Sequence, residues 1–146
     1  MYTDTNLTML TDLYQLTMMQ GYYKYGKTDK ISVFDLFFRQ NGMITYSLAC
    51  GLEQVVDYIL KLNFGKEEID YLRGLNIFSE EFLNYLKDFK FTGDVYAVPE
   101  GTVVFPGEPI LTVKAPVMQA QLIETAILNI MNFQTLIASK SAKICY

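Results

Sequence analysis

The sequence predicts an α+β fold in which a small antiparallel sheet packs against helices. Three observations carry that expectation. The stretch Phe91 to Val113 alternates turn residues (Gly93, Pro99, Gly101, Pro106, Gly107, Pro109) with runs rich in Val, Ile, Thr and Tyr. Glycine supplies positive φ and proline fixes φ while removing a donor, so these residues mark turns and the runs between them read as short strands. Helical patterns lie on both sides of this stretch. Finally, 146 residues that are 51% hydrophobic and 19% charged make one ordinary domain able to bury a core.

Taken in order, Leu10, Leu13, Tyr14, Thr17, Met18 and Gly21 fall at helical spacing. Asp12 and Gln15 have the spacing of a capping box with Asp12 at the N-cap, and the helix is expected to run through Lys24 and stop at Gly26. Lys30–Arg39 is almost continuously apolar and rich in β-branched and aromatic residues, the pattern of a buried strand. Asn41-Gly42 is a turn signal, and Ile44–Leu48 is expected to return as the second strand of a hairpin.

Gly51 opens LEQVVDYILKL, whose Leu52, Val55, Val56, Ile59, Leu60 and Leu62 form an amphipathic helix ended by Phe64-Gly65. Lys66–Leu75 and Ser79–Phe89 follow as shorter helices with acidic first turns, as the helix dipole favours, and Ser79 is a good N-cap. Strands are expected at Val95–Val98, Thr102–Phe105 and Ile110–Val113. From Pro116 onward no breaker interrupts the pattern, and a helix of that length would measure about 45 Å. It carries no C-cap signal before Tyr146, and Leu136, Ile137 and Ile144 leave an apolar surface that expects a partner. The expectation is a chain whose natural form continues.

Composition excludes several function classes. The net charge of −4 argues against a nucleic-acid surface, which needs concentrated Lys and Arg. The chain has no histidine, so a Ser–His–Asp triad, a Cys–His pair and His-ligated metal are absent from these residues. Cys50 and Cys145 lack metal or CxxC spacing, which reads as a reducing, cytoplasmic setting. Met1–Leu10 has no basic start of a signal peptide. Val117–Ala138 is interrupted by six Gln, Glu and Asn residues, too polar for a membrane span. Neither a GxGxxG nor a P-loop is present.

Three constellations could carry chemistry. Asp12 and Tyr14 stand at a helix start, where free N–H groups favour anions and an exposed ring can stack on a flat ligand; the plainer alternative is a cap and a packed ring. Arg39 ends the apolar run and offers a guanidinium fork to phosphate, or is simply a surface arginine. Gln121, Glu124, Asn129, Asn132, Thr135 and Ser139 form a polar line on an apolar helix. That line either faces a cavity or satisfies neighbouring backbone. The strand-turn pattern of EGTVVFPGEPILTVKAP is similar to part of a biotinyl or lipoyl carrier. Lys114 lies at a strand end rather than at a hairpin tip, so that function does not follow.

Several phrases, in order and evenly spaced, resemble nicotinate phosphoribosyltransferase, of the type II phosphoribosyltransferases. They are LTDLYQLTMMQGYY (Leu10–Tyr23), VFDLFFRQNG (Val33–Gly42), SLACGLEQVVDYI (Ser47–Ile59), FTGDVYAVPEGTVVFPGEPILTV (Phe91–Val113) and QLIETAILNIMNFQTLIASKSAK (Gln121–Lys143). The resemblance implies an N-terminal α+β domain at residues 1–130. It also implies that residues 131–146 begin an irregular α/β barrel otherwise absent from the chain.

The implied reaction joins nicotinate to phosphoribosyl pyrophosphate, giving nicotinate mononucleotide and pyrophosphate in NAD salvage. It is coupled to ATP hydrolysis through a phosphohistidine, with Mg2+ accompanying the phosphates. The family implies a homodimer in which this domain completes the partner's site. By the same resemblance, Tyr14 stacks on the pyridine across the dimer, Asp12 lies near the base, and Arg39 contacts phosphate from the other subunit. No catalytic or metal-binding residue is implied within these residues, and the isolated chain is expected to be inactive. The alternatives are a non-catalytic interaction or dimerisation module of the same fold, and a nicotinamide- or quinolinate-using relative.

Overall fold

The computed structural model describes residues 6–40 and 45–145. The elements follow the order α1 (Leu13–Lys24), β1 (Ile31–Leu36), β2 (Ser47–Leu48), α2 (Leu52–Lys61), α3 (Lys66–Gly74), α4 (Glu80–Lys87), β3 (Asp94–Ala97), β4 (Val103–Val104), β5 (Leu111–Pro116) and α5 (Val117–Cys145). The predicted α+β class is the one observed, with two small antiparallel sheets in place of one.

The larger sheet has strand order β1-β5-β3, and the smaller pairs β2 with β4. The expected hairpin between β1 and β2 is therefore absent. Ser47 sits opposite Val104, and β1 pairs along its whole length with β5, Ile31 opposite Pro116 and Leu36 opposite Leu111. The long-range pairings of β1 with β5 and of β2 with β4 stand in its place. The Asn41-Gly42 turn signal lies outside the described residues. β1 is also not buried on both faces. Its exposure alternates, with Ile31 and Val33 on the open face. An edge strand of an antiparallel sheet needs to bury only one face, and here Phe34 and Leu36 turn inward beside Val113 and Leu111.

That inner face packs on α5, which also meets α1, α2 and β2. The helix is the axis of the domain. Met118 to Ile123 are buried all round, after which burial narrows to one stripe: Ile127, Met131, Thr135 and Ser139, each four residues on. Residues four apart share one helix face, so α5 passes from core helix to half-exposed helix along its length. Its 29 residues run unbroken through position 131. α2 buries Val55 and Tyr58, with Leu62 just beyond its end, while Val56 and Leu60, expected on the same apolar face, are exposed. Ser79 caps α4 by accepting from the Phe82 N–H at 3.3 Å.

Two glycines permit close approaches. Gly51 has φ +111°, and a Cβ there would stand 3.2 Å from the Ile130 carbonyl oxygen of α5. At Gly93 a Cβ would come 2.3 Å from Ala115 Cβ, so only glycine lets the chain enter β3 so close against β5. Glu100 reaches back across the small sheet to hold the start of α2. Its carboxylate accepts from the Gly51 N–H at 3.0 Å and the Glu53 N–H at 3.2 Å. A carboxylate at a helix N-terminus satisfies free donors and complements the dipole.

Candidate functional site: a polar cleft between α1, the β1 exit and α5

The polar and aromatic residues singled out in the sequence converge on one cleft of about 750 Å³. Asp12 and Tyr14 come from the head of α1, Arg39 from the segment that leaves β1, and Glu124, Asn129 and Asn132 from the middle of α5. Arg39 lies three residues past the end of β1 at Leu36 rather than ending the strand. Tyr14 is 50% exposed, leaving a ring face for a ligand.

The head of α1 is held by a buried glutamine. Gln15 is fully enclosed, and its amide is satisfied from four sides. Its Oε1 accepts from the Thr11 hydroxyl and, at 3.4 Å, from the Asp12 backbone N–H. Its Nε2 donates to Glu124 Oε2 at 3.2 Å and lies 3.5 Å from the Tyr14 hydroxyl. The capping-box spacing thus does more than start a helix, because the same side chain ties α1 to α5. Thr125 Oγ1 stands 2.8 Å from Asp12 Oδ2 and 3.0 Å from Gln15 Oε1. A hydroxyl has one proton, and the shorter, charge-assisted bond to the carboxylate takes it. Asp12 is thereby pinned against α5.

The polar line on α5 has two uses. Thr135 exchanges hydrogen bonds with the Cys50 backbone at 3.2 Å, and Ser139 accepts from the Leu48 N–H at 2.9 Å. These satisfy the short β2–α2 connection. Gln121 donates to Glu124 Oε2 at 3.3 Å, and Glu124, Asn129 and Asn132 line the cleft, as Thr135 also does. Gln15 was legible in the sequence as half of a capping box and Glu124 as one of the α5 polar line; that the two meet was not.

Elsewhere, burial pushes the Cys50 thiol upward, and its hydrogen bond to Glu100 adds to the effect. Burial also pushes the Glu100 carboxyl up, but the Cys50 thiol and the N–H groups of Glu53, Gly51 and Leu52 outweigh it and hold it below its ordinary value. Among the described residues, no three His, Cys, Asp or Glu side chains are grouped to hold a metal ion, and no helix is long and apolar enough to cross a membrane.

The sequence matches the family model of the nicotinate phosphoribosyltransferase N-terminal domain over residues 9–132. It is 44% identical over 138 residues to a nicotinate phosphoribosyltransferase of Mycobacterium tuberculosis, and 43% identical over 147 residues to that of Bacillus subtilis. Those alignments take in 93% and 98% of this chain but 29% of each relative. The fold superposes on human nicotinic acid phosphoribosyltransferase with a TM-score of 0.83 at 32% identity, over 90% of this chain and 27% of the human one. A nicotinate-nucleotide pyrophosphorylase from Pyrococcus furiosus shares the fold at a TM-score of 0.57 and 20% identity. The chain thus spans under a third of the length of the relatives it matches, and over that span it belongs to the nicotinate phosphoribosyltransferase family as its N-terminal domain.

Proposed function

We propose that this chain supplies the base-binding wall of a nicotinate phosphoribosyltransferase, which joins nicotinate to phosphoribosyl pyrophosphate with release of pyrophosphate. The observation that carries the reading is the meeting of Asp12 and Tyr14, at the head of α1, with Arg39, from the segment beyond β1, in one cleft. In this reading the Tyr14 ring stacks on the flat, electron-poor pyridine. Arg39, which makes no ion pair among the described residues, offers paired donors to a phosphate. Asp12, pinned by Thr125, borders the base.

The cleft is open, and its lining carries exposed apolar side chains, Phe37, Leu128 and Leu136 among them. Such a lining suits completion by another subunit, so the functional form is a homodimer with the site shared across the interface. Residues 131–146 lead toward a barrel domain that supplies the rest of the site. ATP and Mg2+ are bound by residues other than these 146, which contain no histidine to phosphorylate. The setting is cytoplasmic, consistent with two free cysteines.

The test is a replacement. This chain, inserted whole in place of the matching segment of the Bacillus subtilis enzyme, is expected to give a protein that forms nicotinate mononucleotide, whereas the purified 146 residues alone form none. An inactive but folded, dimeric chimera, or activity in the isolated chain, would overturn the reading.

A further inference from the structure

Glu124 is a carboxylate without a counter-charge. It takes part in none of the ion pairs among the described residues, which join Lys61 to Asp57 and Arg73 to Asp70 and Glu80. Its Oε2 is instead gripped by two amide donors, Gln15 Nε2 at 3.2 Å and Gln121 Nε2 at 3.3 Å, both from buried glutamines. Amide donors fix the position of a carboxylate without supplying a charge to cancel its own. The Gln15 nitrogen that holds Glu124 also lies beside the Tyr14 hydroxyl, so the charge is fixed next to the aromatic wall of the cleft. Arg39, the cation lining the same cleft, makes no ion pair with it. A fixed, unneutralised negative charge beside a ring platform favours a ligand ring that carries positive charge.

We propose that Glu124, clamped by Gln15 and Gln121, selects for the cationic form of the ring bound against Tyr14. The inference rests on the proposed reaction. There the pyridine nitrogen uses its lone pair to bond the anomeric carbon, while the carbon–oxygen bond to pyrophosphate breaks and its electron pair leaves on pyrophosphate. No proton moves, and a neutral ring becomes a pyridinium. Glu124 thus lowers the energy of the charge that develops on the ring, and it binds product more strongly than substrate. Asp12 is a second carboxylate of the same wall, held through Oδ2 by the Thr125 hydroxyl of α5.

The chimera described above provides the experiment, read as the ratio of the nicotinate KM to the inhibition constant of nicotinate mononucleotide. Glu124→Gln keeps an oxygen for both amide donors and removes only the charge. It is expected to lower that ratio about tenfold or more and to lower kcat with it, as loss of a preorganised charge does. Glu124→Asp keeps the charge and is expected to retain most of the ratio. An unchanged ratio in Glu124→Gln would overturn the inference and leave the proposed function standing. Equal losses in Glu124→Gln and Glu124→Asp would also overturn it, because packing rather than charge would then be responsible. A folded chimera that makes no product with the unaltered sequence would overturn both.

Discussion

Replacing Gln15 by Leu probes the joint between α1 and α5. The substitution roughly conserves bulk but removes both the donor and the acceptor from a fully buried position. Five contacts are lost, the 3.0 Å approach of the Thr125 hydroxyl included, and they are unequal. The bond to Glu124, at 3.2 Å, engages a charged group, and the Thr11 hydroxyl donates to the amide oxygen. The contacts with the Asp12 N–H at 3.4 Å and the Tyr14 hydroxyl at 3.5 Å are long and contribute little. A net hydrogen bond is worth about 1 kcal/mol, one to a charged group about 1.5–3 kcal/mol. Glu124 retains Gln121, which limits the penalty of stranding it. The expected loss is therefore about 2–4 kcal/mol, measured as a fall in the urea midpoint of the 146-residue chain with an unchanged slope. Gln15→Glu should be worse still near neutral pH, because it sets a second carboxylate against Glu124 in a partly desolvated place. A loss below about 0.5 kcal/mol for Gln15→Leu, within the range of ordinary surface substitutions, would refute the reasoning. So would a Gln15→Glu variant more stable than Gln15→Leu at pH 7.

Two other substitutions test parts of the scaffold. The Tyr58 hydroxyl is buried without a hydrogen-bond partner among the described residues, and burial pushes its phenol upward. Tyr58→Phe should raise stability by about 1 kcal/mol, since it removes an unsatisfied buried group and leaves the packed ring in place; thermal unfolding reads the shift, and a lower midpoint would show that the hydroxyl has a partner. The folded-state carboxyl of Glu100 is held below its ordinary value, so its contribution is present above the unfolded-state value near 4.5 and fades as pH falls through the lower folded-state value. Glu100→Gln should therefore cost about 1 kcal/mol at pH 7, as loss of a helix cap does, and should weaken the fall of stability below pH 4.5. Parallel pH–stability curves for the two proteins would contradict this role.

The helices were legible because their signals are local. Asp12 and Gln15 announce the start of α1, Ser79 that of α4, and the absence of a breaker after Pro116 foretells α5. The strands were legible as runs but not as partners. Nothing near Ile44–Leu48 says that β2 pairs with β4, a strand more than fifty residues later, rather than with β1. Pairing is settled by the whole core, and by the clearance that Gly51 and Gly93 allow against α5 and β5. The alternation of exposure in β1 was hidden because Ile31 and Val33 are apolar although their face is open, and composition alone does not separate an edge strand from a central one. At the cleft, Asp12, Tyr14 and Arg39 were individually readable as chemical types. Their convergence was not, nor was the use of the α5 polar line, in which Ser139 serves backbone, Glu124, Asn129 and Asn132 line the cleft, and Thr135 does both. That use follows from how α5 rolls against β2 and α1.

In the proposed site the Tyr14 ring is the platform for the base. The most direct test is the nicotinate KM of the active chimera carrying Tyr14→Ala or Tyr14→Phe. A buried stack contributes about 1–3 kcal/mol. The expected result is a KM raised about five- to 150-fold by Tyr14→Ala, with Tyr14→Phe close to the unaltered protein because the ring remains. A nicotinate KM unchanged in Tyr14→Ala, in a chimera that still turns over, would contradict the account and remove Tyr14 from the site.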